Sequence, residues 1–226
     1  MIRKRMKRTN LSLSPISFGV MRLPEYEVNG EMKVDREKSL EVLRYGAQSG
    51  INFFDTHPLY CQGLSEPILG EALEGLPGQI HVMTKCALWK ELEPGESWRD
   101  RIESSLRNLR RDYMDIYLAH ALTWEIYDKR GREFLKEAMA ARDEDIIGHI
   151  GFSSHDKPEN VMKLLDVDEF ECMLIQYSLI DRSYESCIER AAERGRDVFV
   201  MGPLNGGLFR QFPTGTVFDE ICSDDP

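Results

Sequence analysis

Short apolar runs alternate along the chain with longer segments in which apolar positions recur every three or four residues. The runs Ile51–Phe54, Ile80–Thr84, Ile116–Ala119, Ile147–Phe152, Cys172–Ile175 and Val198–Met201 read as buried strands. Between them the helical spacing returns. One helix is expected from about Asp35, a good N-cap, to Ser49 before Gly50, with Leu40, Leu43 and Ala47 on one side. Others are expected at Glu66–Leu73, Ser97–Arg110, Glu133–Arg142, after Pro158, and at Ser183–Arg194. In the Ser97–Arg110 segment Trp98, Ile102, Leu106 and Leu109 form a single stripe. At the start, Leu11–Leu13 and Ile16–Val20 flank Ser14-Pro15, which predicts a short N-terminal β-hairpin leading into the first strand of the main sheet. Pro24, Asn29 and Gly30 read as a loop.

This alternation, with short connections, predicts a parallel sheet in an α/β protein. A right-handed crossover repeated in one sense closes naturally into a (β/α)8 TIM barrel. A Rossmann G-x-G-x-x-G is absent, which removes the commonest reason to prefer an open doubly wound sheet. Residues 1–226 read as one barrel domain, somewhat short of the ~250 residues usual for the fold.

Composition narrows the function. A net charge of -10 argues against nucleic acid as a partner, and the basic run Arg3, Lys4, Arg5, Lys7, Arg8 reads as a solvated leading strand. No run approaches a membrane span, and the N-terminus lacks the apolar core of a signal peptide, so a cytoplasmic location is expected. The five cysteines are scattered without C-x-x-C spacing, which suggests neither a disulfide framework nor a metal or iron-sulfur site.

Reactive residues concentrate at the carboxyl ends of the expected strands, where such barrels build their sites. These are Asp55 to Tyr60, Thr84-Lys85, His120, Ser153-Ser154-His155, Gln176, and Gly202 to Gly207. A buried Asp55–Lys85 pair beside Tyr60 is expected to lower the phenol pKa, with His120 placed to hold a carbonyl oxygen. That arrangement serves carbonyl reduction. Asp55, His57, His120 and His155 also offer ligands for a metal-dependent hydrolase, but no H-x-H spacing is present and a metal would compete with Lys85 for Asp55. Each residue alone has a plainer reading as a turn cap, a rim aromatic or a core histidine.

The ordered segments Gly50–Tyr60, Gly63–Glu66 with Leu69–Leu73, Thr84-Lys85, Arg111–His120, Gly151–His155, Gln176–Arg182 and Gly202–Gly207 resemble the aldo-keto reductase family. The segments Gly151–Pro158 and Val200–Gly207 are most similar to the bacterial and archaeal branch that often carries a C-terminal iron-sulfur module. The resemblance implies Tyr60 as general acid, Lys85 as its partner, Asp55 as the residue that orients Lys85, and His120 as the carbonyl-positioning group. It implies NADPH as cofactor, with NADH as the alternative, and a small carbonyl compound as substrate. Cofactor contacts would come from Gly19, Met21, Arg22, Asp55, Ser153, Ser154, Gln176, Met201, Pro203, Leu204 and Gly206. Family members continue after the position of Phe209 with an eighth strand and helix that grip the 2′-phosphate. This sequence reads as seven of eight units, a C-terminally truncated barrel whose open edges invite self-association. The rival reading is an impaired or regulatory barrel scaffold.

Overall fold

The computed structural model describes residues 2–205. A hairpin of β1 (Lys4–Arg5) and β2 (Ser12–Leu13) precedes β3 (Phe18–Gly19). A second hairpin, β4 (Glu25–Val28) and β5 (Glu31–Val34), leads into α1 (Arg36–Gln48). There follow β6 (Phe53–Asp55), a 3-10 turn at Tyr60–Gly63, α2 (Ser65–Leu73), β7 (His81–Cys86), α3 (Trp98–Leu109) and β8 (Met114–Ala119). The short α4 (Trp124–Ile126) runs through a π turn at Tyr127–Gly131 into α5 (Arg132–Asp143). The described chain ends with β9 (Ile147–Ser154), α6 (Pro158–Leu165), β10 (Cys172–Gln176), α7 (Glu185–Glu193) and β11 (Asp197–Met201).

The expected helices and main strands are therefore present, with ends moved by a residue or two. Asp35 accepts from Lys38 N to cap α1, and Ser97 with Asp100 forms a capping box at α3. The N-terminal hairpin pairs differently from the expectation. Ser12–Leu13 pairs with the basic Lys4–Arg5, whereas Ile16 is 63% exposed and Phe18–Gly19 joins the main sheet directly. The segment expected as a loop at Pro24–Gly30 is largely a hairpin turning on Asn29 and Gly30, both at positive φ (54° and 84°). Asn-Gly fits that turn because both positions take a left-handed backbone.

Among the described residues, seven parallel strands run β3-β6-β7-β8-β9-β10-β11 in one curled sheet, an incomplete barrel. The sheet curls strongly: Phe53 of β6 and Phe199 of β11 bring their ring centroids to 5.1 Å although four strands separate β6 from β11 in the order. Strand alternation then sorts side chains by face. Phe53, Met83, Ile116, Leu118 and Leu174 face inward, joined by Leu13 from the hairpin. Phe54, Val82, Tyr117, Ala119, Ile150, Phe152, Met173 and Ile175 face outward under the helices. The same parity carries Asp55, Lys85, Ser153 and Gln176 to the inner face and Thr84 and Ser154 to the outer one.

Candidate active site

Each barrel strand delivers its last residues to one end of the molecule. Backbone hydrogen bonds splice the strand ends there: Val20 N donates to Asp55 O (2.8 Å), Thr56 N to Met83 O (2.9 Å), His120 N to Cys86 O (2.8 Å) and Leu122 N to Ser153 O (2.7 Å). Lys85, only 1% exposed, donates from Nζ to Asp55 Oδ1 (2.5 Å) and to Thr56 O (2.7 Å). Its Nζ stands 5.1 Å from the centroid of the Tyr60 ring. The Tyr60 hydroxyl lies 3.3 Å from His120 Nε2. The four residues singled out for chemistry thus meet in one cluster.

Tyr60 reaches this cluster through a tight left-handed turn. Cys61 and Gln62 take positive φ (52° and 58°) and Gly63 follows at 88°. Two non-glycine residues in that region cost about 1–2 kcal/mol each, strain that the surrounding bonds must hold in place. Among those bonds, Ser65 Oγ donates to Val20 O (2.8 Å) and therefore accepts from Thr56 Oγ1 (2.6 Å).

Burial governs the electrostatics. It pushes the Asp55 carboxyl up and the Lys85 ammonium down, and the contact between them pulls each back toward its charged form. Tyr60 corrects the expectation of a lowered phenol. Its pKa is raised, first by burial and then by the Asp55 charge. The phenol consequently keeps its proton at neutral pH. His120 is pushed down to about 2 and His57 to about 3, chiefly by burial, so both imidazoles are neutral.

His57, grouped with Asp55 and His120 at the rim from the sequence, packs against the same cluster. Its ring lies 4.0 Å from that of His120 and 5.1 Å from that of Tyr60, and Trp89 closes the group at 4.9 Å from His120. Leu59 N donates to His57 Nδ1 (3.2 Å), so the neutral ring carries its hydrogen on Nε2. Among the described residues, His57 Nε2 and His120 Nδ1 are buried without a partner. The signal for Trp89 was its place just beyond the β7 end.

The residues expected to contact a cofactor are distributed around the same end. Gly19 faces inward, and a Cβ added there would meet open space. Met21 and Arg22 are exposed beyond β3, and Pro203 and Leu204 are exposed beyond β11. Met201 packs against the inner core. Ser153 accepts from Ala121 N (2.9 Å), while the Gln176 amide rests against Gly202, where a Cβ would come within 2.5 Å of it. Ser154 differs from the expectation. On the outer face, its hydroxyl donates to Leu122 O (2.6 Å) and accepts from Asp156 N (3.1 Å), which commits its single proton to the backbone. Gly206 lies outside the described residues. A hydroxyl and an amide at the inner rim, Ser153 and Gln176 on neighbouring strands, make a donor and acceptor set that fits a carboxamide.

The Aldo/keto reductase family model matches residues 15–216. The chain belongs to the aldo/keto reductase family. An NADH-specific methylglyoxal reductase of Escherichia coli is 29% identical over 235 residues, covering 94% of this chain and 70% of that protein. The holo form of an aldo-keto reductase from Bacillus halodurans is 29% identical with a TM-score of 0.79, covering 96% of this chain and 72% of that one. An aldo/keto reductase from Klebsiella pneumoniae, in complex with NADP and acetate, shares the fold at a TM-score of 0.77 and 21% identity, covering 98% and 76%. The family makes the chain an oxidoreductase by lineage. No helix among the described residues is long and apolar enough to cross a membrane.

Proposed function

We propose that this aldo/keto reductase reduces the carbonyl group of small aldehydes or ketones, with Tyr60 as proton donor and NADPH as reductant, NADH competing for the same site. The observation that carries the reading is the convergence of Tyr60, His120, Lys85 and Asp55 at one end of the inner face, with the phenol protonated and 3.3 Å from a neutral imidazole. A bound reduced nicotinamide would supply the hydride, two electrons delivered to the carbonyl carbon. Ser153 and Gln176 would hold its carboxamide end, and Gly19, Met21, Arg22, Pro203 and Leu204 would flank the rest. His120 orients the carbonyl oxygen through its ring nitrogen. Tyr60 passes its proton to that oxygen as the C=O π bond opens, and the resulting phenolate charge is balanced by the Lys85 ammonium. Asp55 keeps the ammonium in place and neutralises it at rest.

The substrate-side wall of His57, Tyr60, Trp89 and His120 favours a compact carbonyl compound, and methylglyoxal, named for the E. coli relative, is the first to try. Tyr60→Phe is expected to lower turnover by about 10²- to 10⁴-fold while changing dinucleotide binding, read by coenzyme fluorescence, less than about twofold. Normal turnover by the Phe variant would overturn the assignment of the acid. No turnover by the unsubstituted chain with either dinucleotide would favour the scaffold reading instead.

A further inference from the structure

Lys85 is flanked by two carboxylates, of which only Asp55 touches it. The other, Glu66, stands in the first turn of α2 and is 0% exposed. Burying a carboxylate is costly unless its oxygens are bonded, and here both are. Thr84 Oγ1 donates to Oε1 (2.6 Å) and Asn108 Nδ2 donates to Oε2 (3.0 Å). Burial pushes the Glu66 carboxyl up, while the donors Thr84 and Asn108 and the dipole at the start of α2 oppose that push and favour the ionised form. Gly70, one turn along the same face, lets α2 reach the backbone of α3: a Cβ there would lie 2.6 Å from Leu109 C and O. That close approach brings Asn108 to Glu66. Thr84 precedes Lys85 on β7 and points to the opposite face of the sheet, so Glu66 lies behind the strand that presents the ammonium.

We infer that Glu66 is a positioning residue that holds Lys85 in its charged form from behind the sheet, through Thr84 and β7. The inference rests on Lys85 serving the reaction as proposed above. Asp55, the Thr56 carbonyl, Tyr60, His57 and His120 face Lys85 from the inner side, and Glu66 faces it from the outer layer. Thr84, Asn108, Ser105 and Tyr117 surround Glu66 itself. Burial drives the ammonium toward losing its proton, and the charges of Asp55 and Glu66 oppose that drive. One carboxylate neutralises the pair; the second biases it toward the ammonium. Glu66 thereby sets the alkaline limit of the site without touching any reacting group.

The test is the titration of Lys85 itself, followed by the ¹³Cε shift of labelled lysine, with the Lys85 signal identified by its loss in Lys85→Met. Glu66→Gln is nearly isosteric and should lower the Lys85 midpoint by about one pH unit, moving the alkaline limb of kcat/KM the same way. Glu66→Asp, which restores the charge, should return more than half of that shift. Thr84→Val removes the strand-side donor and should give a smaller shift in the same direction. An unmoved Lys85 midpoint in folded Glu66→Gln and Thr84→Val proteins overturns the inference. Full activity of Lys85→Met would instead overturn the catalytic reading, while the titration would still report on Glu66.

Discussion

The two ends of the barrel hold carboxylates in contrasting states. At the base, Asp197 accepts from Lys7 N (3.0 Å), Arg8 N (3.1 Å), Thr9 N (2.8 Å) and Thr9 Oγ1 (2.8 Å), which pins the turn of the N-terminal hairpin beneath β11. At the same end, Asp115 accepts from His81 Nδ1 (2.5 Å) and Val82 N (2.8 Å). At the mouth, Asp55 bonds a single ammonium, and the neighbouring His57 and His120 each keep a ring nitrogen without a partner among the described residues. A carboxylate saturated by backbone donors has nothing left to offer a substrate and acts as a rivet. The mouth keeps protons and lone pairs available, and the cost of burying them is offset by the rigid frame below.

The contrast is broken most directly at Lys85. Lys85→Met leaves Asp55 buried without its counter-charge, and is expected to remove turnover and to cost about 3–5 kcal/mol of stability, measured by urea unfolding. Asp197→Ala should cost about 3 kcal/mol by orphaning the hairpin donors, yet leave kcat within about twofold. Equal loss of activity from both would dissolve the distinction between the ends.

A smaller effect tests the neutral imidazoles. Their folded pKa values of about 3 and about 2 lie below the ordinary 6.5, so the unfolded chain binds protons first as the pH falls. The stability they contribute is complete above pH 6.5 and declines below it, with a slope approaching ~1.4 kcal/mol per pH unit for each ring. Replacing His57 by Phe should remove one ring's share of that slope, read from unfolding at pH 7, 5.5 and 4.5; an unchanged slope would mean that His57 titrates normally. Smallest is the serine pair. Ser154→Ala should cost about 1 kcal/mol of stability with little change in dinucleotide affinity, and Ser153→Ala the reverse. Weakened binding in the Ser154 variant alone would exchange their roles.

Much of this was legible in the residues. The period of apolar positions gave the strands and helices, because each must bury one face. Asp35 and Ser97 marked helix starts through the hydrogen bonds that only such side chains make. The second hairpin was written in Asn29-Gly30, although its polar, exposed strands carry no core signal to accompany the turn. The first hairpin departs from the expectation because Lys4–Arg5 looks like a solvated run and pairs where Asp197, far along the chain, holds the turn.

Sequence alone determined the family, the order of the main strands and helices and the set of groups able to move a proton, since these depend on residue type and spacing. Tertiary structure decided what those groups do. The Tyr60 phenol is raised rather than lowered because its pKa depends on burial and on the nearby Asp55 charge. Ser153 and Ser154 part company because successive strand residues face opposite sides. The nearness of His57 to His120, and of Glu66 to the strand behind Lys85, exists only once the sheet curls and α2 packs against α3. Charge, dielectric and direction are properties of the assembled site, and no single segment of the chain contains them.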